Sequence, residues 1–136
     1  MRSGSAEDLL FNPDPAHYLP HRYPFLLLDR IIELESGSRA VARTGVTAVR
    51  GFPRILMVES VAQLAGIVVA QTDGAGGFLA SIDHAEFAAP AAVGDILTVA
   101  VRVIKSFGRL FLVEGDVVSD AGRLLSVQLT LGVGKL

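Results

Sequence analysis

Glu59 and Gln63 stand four residues apart within a run from Phe52 to Thr72 that is dominated by apolar side chains. On a helix that spacing puts both on one face. A carboxylate carried into apolar surroundings is costly unless it is paired or used. If used, it is an acid whose pKa burial raises, able to donate a proton near neutrality. If paired, it is a structural group satisfied by Gln63 or by backbone donors from a neighbouring strand. Gln63, one turn on, reads as the partner that orients it. The three histidines are the available bases. His21 sits in Leu19-Pro20-His21-Arg22-Tyr23-Pro24, a loop stiffened by proline at both ends. It is the best candidate for a base, against the plainer reading of a loop residue bonded to nearby backbone. His84 reads as a sheet-surface residue and His17 as an exposed loop residue.

The element carrying Glu59 opens at Pro53, suited to a first helical turn, and stops near Thr72-Asp73-Gly74. Its apolar residues fall on every side, so the helix belongs inside something. Two strands are expected before it, Phe25 to Glu35 and Arg39 to Val46, joined by the turn Glu35-Ser36-Gly37-Ser38. Four are expected after it: Phe78 to Phe87, Ile96 to Lys105, Leu110 to Ser119 and Leu124 to Val133. Leu97, Val99, Val101 and Val103 alternate with Thr98, Ala100 and Arg102, as a half-buried strand requires. An antiparallel sheet wrapped over one helix buries that helix with least waste, which is an α+β arrangement.

With 136 residues, 51% of them apolar and only 19% charged, the chain is expected to form one domain and to hide apolar surface in an oligomer. Residues 1–18 read as a tail with a short turn, and 19–136 as the single domain. A net charge of −2 leaves no basic footprint for nucleic acid and no polybasic membrane patch. Without cysteine, disulfides and zinc–thiolate sites are excluded. The N-terminus lacks the apolar core of a signal peptide, and Glu59 and Gln63 interrupt the helix as a membrane span. A soluble cytoplasmic protein is expected.

The segment Leu19-Pro20-His21-Arg22-Tyr23-Pro24-Phe25-Leu26-Leu27-Leu28-Asp29-Arg30 closely resembles the opening of the β-hydroxyacyl-acyl-carrier-protein dehydratases. Val58-Glu59-Ser60-Val61-Ala62-Gln63-Leu64-Ala65-Gly66 is similar to that family's helix segment, which carries its acidic catalytic residue. Ile82-Asp83-His84-Ala85-Glu86-Phe87 and Val93-Gly94-Asp95 extend the likeness in consistent order to the end of the chain. The resemblance implies the hotdog fold, a sheet curled round a central helix and paired edge to edge in a dimer with active sites at the interface. It also implies a thioester of acyl carrier protein or CoA as ligand, and no cofactor or metal. In the family one subunit supplies a loop His as base and the other the helix acid, while backbone N–H groups at the helix start hold the thioester carbonyl.

Carried onto this chain, the resemblance makes Glu59 the acid and the Arg54 N–H the carbonyl contact. Arg50 and Arg54 are candidates for the phosphate of a phosphopantetheine arm, or else two solvated charges. The chain departs from the family between Val46 and Arg54: the loop is short, it holds no His, and Arg54 stands where the family has the helix-start glycine. That leaves His21 as a displaced base. Three functions follow: a hydroxyacyl-thioester dehydratase, a catalytically silent thioester-binding or heterodimer partner, and an acyl thioesterase. The fold alone does not choose among them. All three require Glu59 to face a space that a thioester can enter.

Overall fold

Alternation in the closing strands becomes the wall of the core. The computed structural model describes residues 11–20, 25–47, 52–69 and 77–134, the side chains of 77 and 78 excepted. A 3-10 turn, Pro15–His17, precedes β1 (Arg30–Glu35) and β2 (Arg39–Gly45). The helix α1 (Arg54–Val69) follows, then β3 (Gly77–Phe87), β4 (Ile96–Phe107), β5 (Leu110–Ser119) and β6 (Gly122–Val133). All strand pairs are antiparallel, in the order β1-β2-β4-β5-β6-β3. This is the hotdog arrangement, one sheet curled about one helix.

Leu97, Val99 and Val101 of β4, Val113 and Val117 of β5, and Leu125, Val127, Leu129 and Leu131 of β6 are all buried. They form one cluster with Val61, Leu64, Ile67 and Val68 of α1. Every residue of α1 from Ser60 to Val69 is buried, as a helix without a polar stripe demands. Its C-terminal end is tied down where Gly37, in the β1–β2 turn at φ 79°, donates its N–H to the Val68 carbonyl at 2.9 Å. The helix meets the sheet closely at Gly115 of β5. A Cβ there would collide with Val61 Cγ1 and stand 3.2 Å from the Ala100 carbonyl oxygen.

One expected strand is shorter in the fold. The apolar run from Phe25 reaches the ladder only at Arg30, although Leu27 and Leu28 ahead of it are both buried. The backbone there is satisfied from another source, the Gln63 side chain. Asp29 closes the gap: its N–H bonds to the Arg43 carbonyl at 2.9 Å, and its Oδ2 accepts from Gly45 N–H at 2.7 Å. Upstream, Phe11 and Tyr18 pack against the core and the Pro13 carbonyl accepts from Ile31 N–H at 2.8 Å.

Candidate active site

The cover over α1 fails along one stripe at its N-terminal end. Ile55 is 64% exposed, Leu56 and Glu59 are partly exposed, and Gln63, at the same face, is buried to 3%. Val61 rests on Gly115, and Glu59 precedes it by two residues, about 200° round the helix. Glu59 therefore sits on the side of α1 away from Gly115, and it is partly exposed there. It is not sealed among the strands.

Local chemistry fixes the start of this helix. Pro53 supplies the first carbonyl, accepting from Leu56 N–H at 2.9 Å and Met57 N–H at 3.3 Å. Arg54 and Ile55 come before these, among the N–H groups that have no partner inside a helix. Their dipoles make the α1 start favourable to negative charge. The Arg54 side chain lies with its guanidinium 5.4 Å from the centre of the Phe87 ring, at the end of β3. A cation is otherwise disfavoured at a helix N-terminus, and the ring face offsets this. Phe52 is buried just before, whereas Phe87 remains part-exposed beneath Arg54. Ser60, next to Glu59, is buried and donates its hydroxyl to the Met57 carbonyl at 2.7 Å, so it is committed to the helix.

Gln63 was expected to orient Glu59. Its amide is bonded at both ends to a different stretch of chain: Nε2 donates to the Phe25 carbonyl at 2.8 Å, and Oε1 accepts from Leu27 N–H at 2.9 Å. On the inner face of β3, Leu79 and Ile82 are exposed apolar side chains at the sheet's edge. With Ile55 and Phe87 they border the side of the molecule that Glu59 faces.

The chain matches the family model described as the thioesterase superfamily over residues 59–126. It is 40% identical over 125 residues to the 3-hydroxyacyl-(acyl-carrier-protein) dehydratase FabZ of Caldanaerobacter subterraneus subsp. tengcongensis, covering 82% of this chain and 87% of that protein. With the FabZ of Rhizobium rhizogenes it shares 37% identity over 123 residues, 76% of this chain and 78% of the relative. This chain belongs to the FabZ dehydratase family. Among solved structures, the dehydratase heterocomplex ApeI:P from Xenorhabdus doucetiae superposes with a TM-score of 0.74 at 18% identity, covering 90% of this chain and 91% of that one. A hypothetical thioesterase from Streptococcus pneumoniae, solved with coenzyme A, gives 0.63 at 15% identity, covering 76% and 83%. At such identities these two speak for the fold.

In this FabZ-family chain the other expected site residues fall as follows. His21 and Arg50 lie outside the described residues. His84 is exposed on the outer face, its Nε2 2.9 Å from Glu86 Oε1, and His17 is exposed with its ring edge-on to Tyr18. That outer face also holds two clefts. One, of about 120 Å³, is lined by Arg39, Arg102, Glu114 and Asp116 among others. The other, of about 290 Å³, reaches across Arg102, Asp116, Arg123 and Gln128 to His84. Both lie on the side of the sheet opposite α1 and neither includes Glu59. Among the described residues no group of three His, Cys, Asp or Glu is arranged to hold a metal, and no helix is long and apolar enough to cross a membrane. Sequence reasoning missed the pairing of Gln63 with Phe25 and Leu27, because residues 36 and 38 apart carry no mutual signal in a single chain.

Proposed function

We propose that this protein handles 3-hydroxyacyl thioesters of acyl carrier protein or CoA as a dehydratase, with Glu59 as the acid. The observation that carries the reading is the partly exposed Glu59 on the one open stripe of a buried helix, in a chain that is a third or more identical to FabZ proteins. The thioester carbonyl accepts from the Arg54 N–H at the helix start, which favours the negative charge that develops as C2 is deprotonated. A base takes the C2 proton, Glu59 protonates the 3-hydroxyl, water leaves, and the C2–C3 double bond forms. His21 is the candidate base within this chain. The Arg54 guanidinium at the mouth, with Arg50, suits the phosphate of the pantetheine arm. A second copy, or a related hotdog chain, paired along β3 covers Ile55, Leu79 and Ile82 and closes the acyl cavity. Higher assembly of such dimers, residence in the cytoplasm, and a single domain over 19–136 after an N-terminal tail belong to the same reading.

A second reading has its own support: the segment from Val46 to Arg54 contains no His, and a structural neighbour is named as a dehydratase heterocomplex. On this reading the chain binds thioester and completes a partner's site without turning over alone. The deciding experiment incubates purified protein with 3-hydroxyacyl, enoyl and saturated acyl thioesters, alone and with a related hotdog chain carrying a loop His. Hydration or dehydration by the lone chain that falls about 10²–10⁴-fold in Glu59→Gln upholds the dehydratase. Turnover only in the mixture upholds the partner role, and free thiol release points to a thioesterase. Absence of both binding and turnover overturns all three.

A further inference from the structure

The amide of Gln63 makes the pair of hydrogen bonds that a neighbouring strand would make. It donates to one carbonyl, Phe25, and accepts from the N–H two residues on, Leu27, at 2.8 and 2.9 Å. Both of its polar ends are engaged and the residue is 3% exposed. The segment it holds carries opposite side chains to opposite fates. Leu27 and Leu28 go into the core, while Phe25 is turned out at 72% exposure. The bond to the Phe25 carbonyl fixes the point on α1 from which its exposed side chain leaves the backbone. The helix residue making that bond is buried on the same face as Glu59, one turn on.

We propose that Gln63 is a positioning residue. Acting as a surrogate strand, it locks the segment 25–27 onto α1 and presents the Phe25 ring as a fixed apolar wall of the thioester site. This rests on the thioester reading above. The wall recognises the apolar acyl portion of the ligand, and the ring's value depends on being held, since an unanchored ring would lose rotational and backbone freedom on binding. Loosening the clasp and removing the ring should therefore damage the same interaction.

The ligand for the test is a 3-hydroxyacyl pantetheine with an amide in place of the thioester. Phe25→Ala and Gln63→Leu should each weaken its binding about tenfold, and the double variant should be no weaker than the worse single one, since coupled residues are not additive. Amide exchange at Leu27 should quicken at least about tenfold in Gln63→Leu, while exchange at Leu64 in the helix core changes less. Gln63→Glu guards against a variant that fails to fold. Its ionised carboxylate accepts from Leu27 but gives the Phe25 carbonyl no donor, whereas the protonated acid does both, and burial raises its pKa. Relative to wild type at each pH, affinity should be low at pH 8 and recover toward pH 5. Additive losses, or Gln63→Leu within twofold of wild type in affinity and Leu27 exchange, overturn the proposal. Should the wild type bind no such ligand, the thioester reading fails with the wall, and Leu27 exchange still decides whether Gln63 is the clasp.

Discussion

Thr44 is buried in β2 with its hydroxyl oxygen unpartnered among the described residues. An unmet hydroxyl in a core costs about 1–3 kcal/mol, so the nearly isosteric Thr44→Val should raise stability by about 1–2 kcal/mol in urea unfolding. A loss would mean that the hydroxyl has a use in the assembled protein. A second residue carries its own pH signature. Thr130 and Ser81 both donate to the Asp83 carboxylate, each at 2.7 Å, and hold its pKa below the usual value. A depressed folded pKa lends stability above the unfolded pKa, and that stability is lost as pH falls through the folded value. Thr130→Val should thus move the Asp83 pKa upward in a carboxyl NMR titration. The accompanying loss of stability should be present at pH 6 and absent well below the carboxylate range. It should be small, since the site is exposed. The motif residues themselves, Glu59 and Gln63, were legible as an acid and an amide sharing a helix face. What the amide touches was not, because its partners lie on a segment far away in the chain.

At the scale of elements, α1 follows from its Pro53 start and its all-round apolar run, the three closing strands follow from alternation and turns, and β5 runs over the expected residues, Leu110–Ser119. Alternation from Leu97 to Val101 in β4 and from Leu125 to Leu131 in β6 needed no tertiary help to be read, since every second residue there has the same destination. The run from Phe25 misled for a physical reason: apolar composition announces burial, not hydrogen-bonding partner. Close contact between α1 and β5 depends on the missing side chain at Gly115. Gly115→Ala should cost about 1–3 kcal/mol through overpacking against Val61 and the Ala100 carbonyl. Adding Val61→Ala should recover part of that loss. Equal stability of Gly115→Ala and wild type in chemical denaturation would mean that helix and strand do not meet there.

For the whole molecule, the paired charges among the described residues gather on the outer face of the sheet. On the outer face Arg39 bonds to Glu33 at 2.6 Å, Arg102 pairs with Glu114, and Arg123 lies 3.5 Å from Asp116. Exposed pairs of this kind are worth little for stability, but they suit a face kept in water. Exposed apolar side chains lie at the sheet's β3 edge and on the N-terminal part of α1, at Leu79, Ile82 and Ile55, and also at the β4–β5 hairpin end, at Ile104, Phe107 and Leu110. An antiparallel edge with apolar flanks favours pairing with a second chain. For the proposed pairing along β3, Ile82→Lys should raise the dissociation constant of that dimer about a hundredfold in sedimentation equilibrium, each tenfold being about 1.4 kcal/mol. Phe107→Lys, on the exposed β4–β5 hairpin end, should leave it unchanged. The reverse pattern would move the interface to the hairpin.

Local pattern, then, accounts for the α+β class, the order of strands and helix, and the presence of a costly acid in an apolar helix. These are legible in one chain because they depend on residue type and on spacings of two and four. Which side of α1 stays open depends on where Val61 meets Gly115. Which backbone Gln63 grips, and why Phe25 stands in solvent while Leu27 and Leu28 do not, depend on how the chain returns past itself. Contacts between residues tens of positions apart are set by packing, and packing is a property of the folded whole.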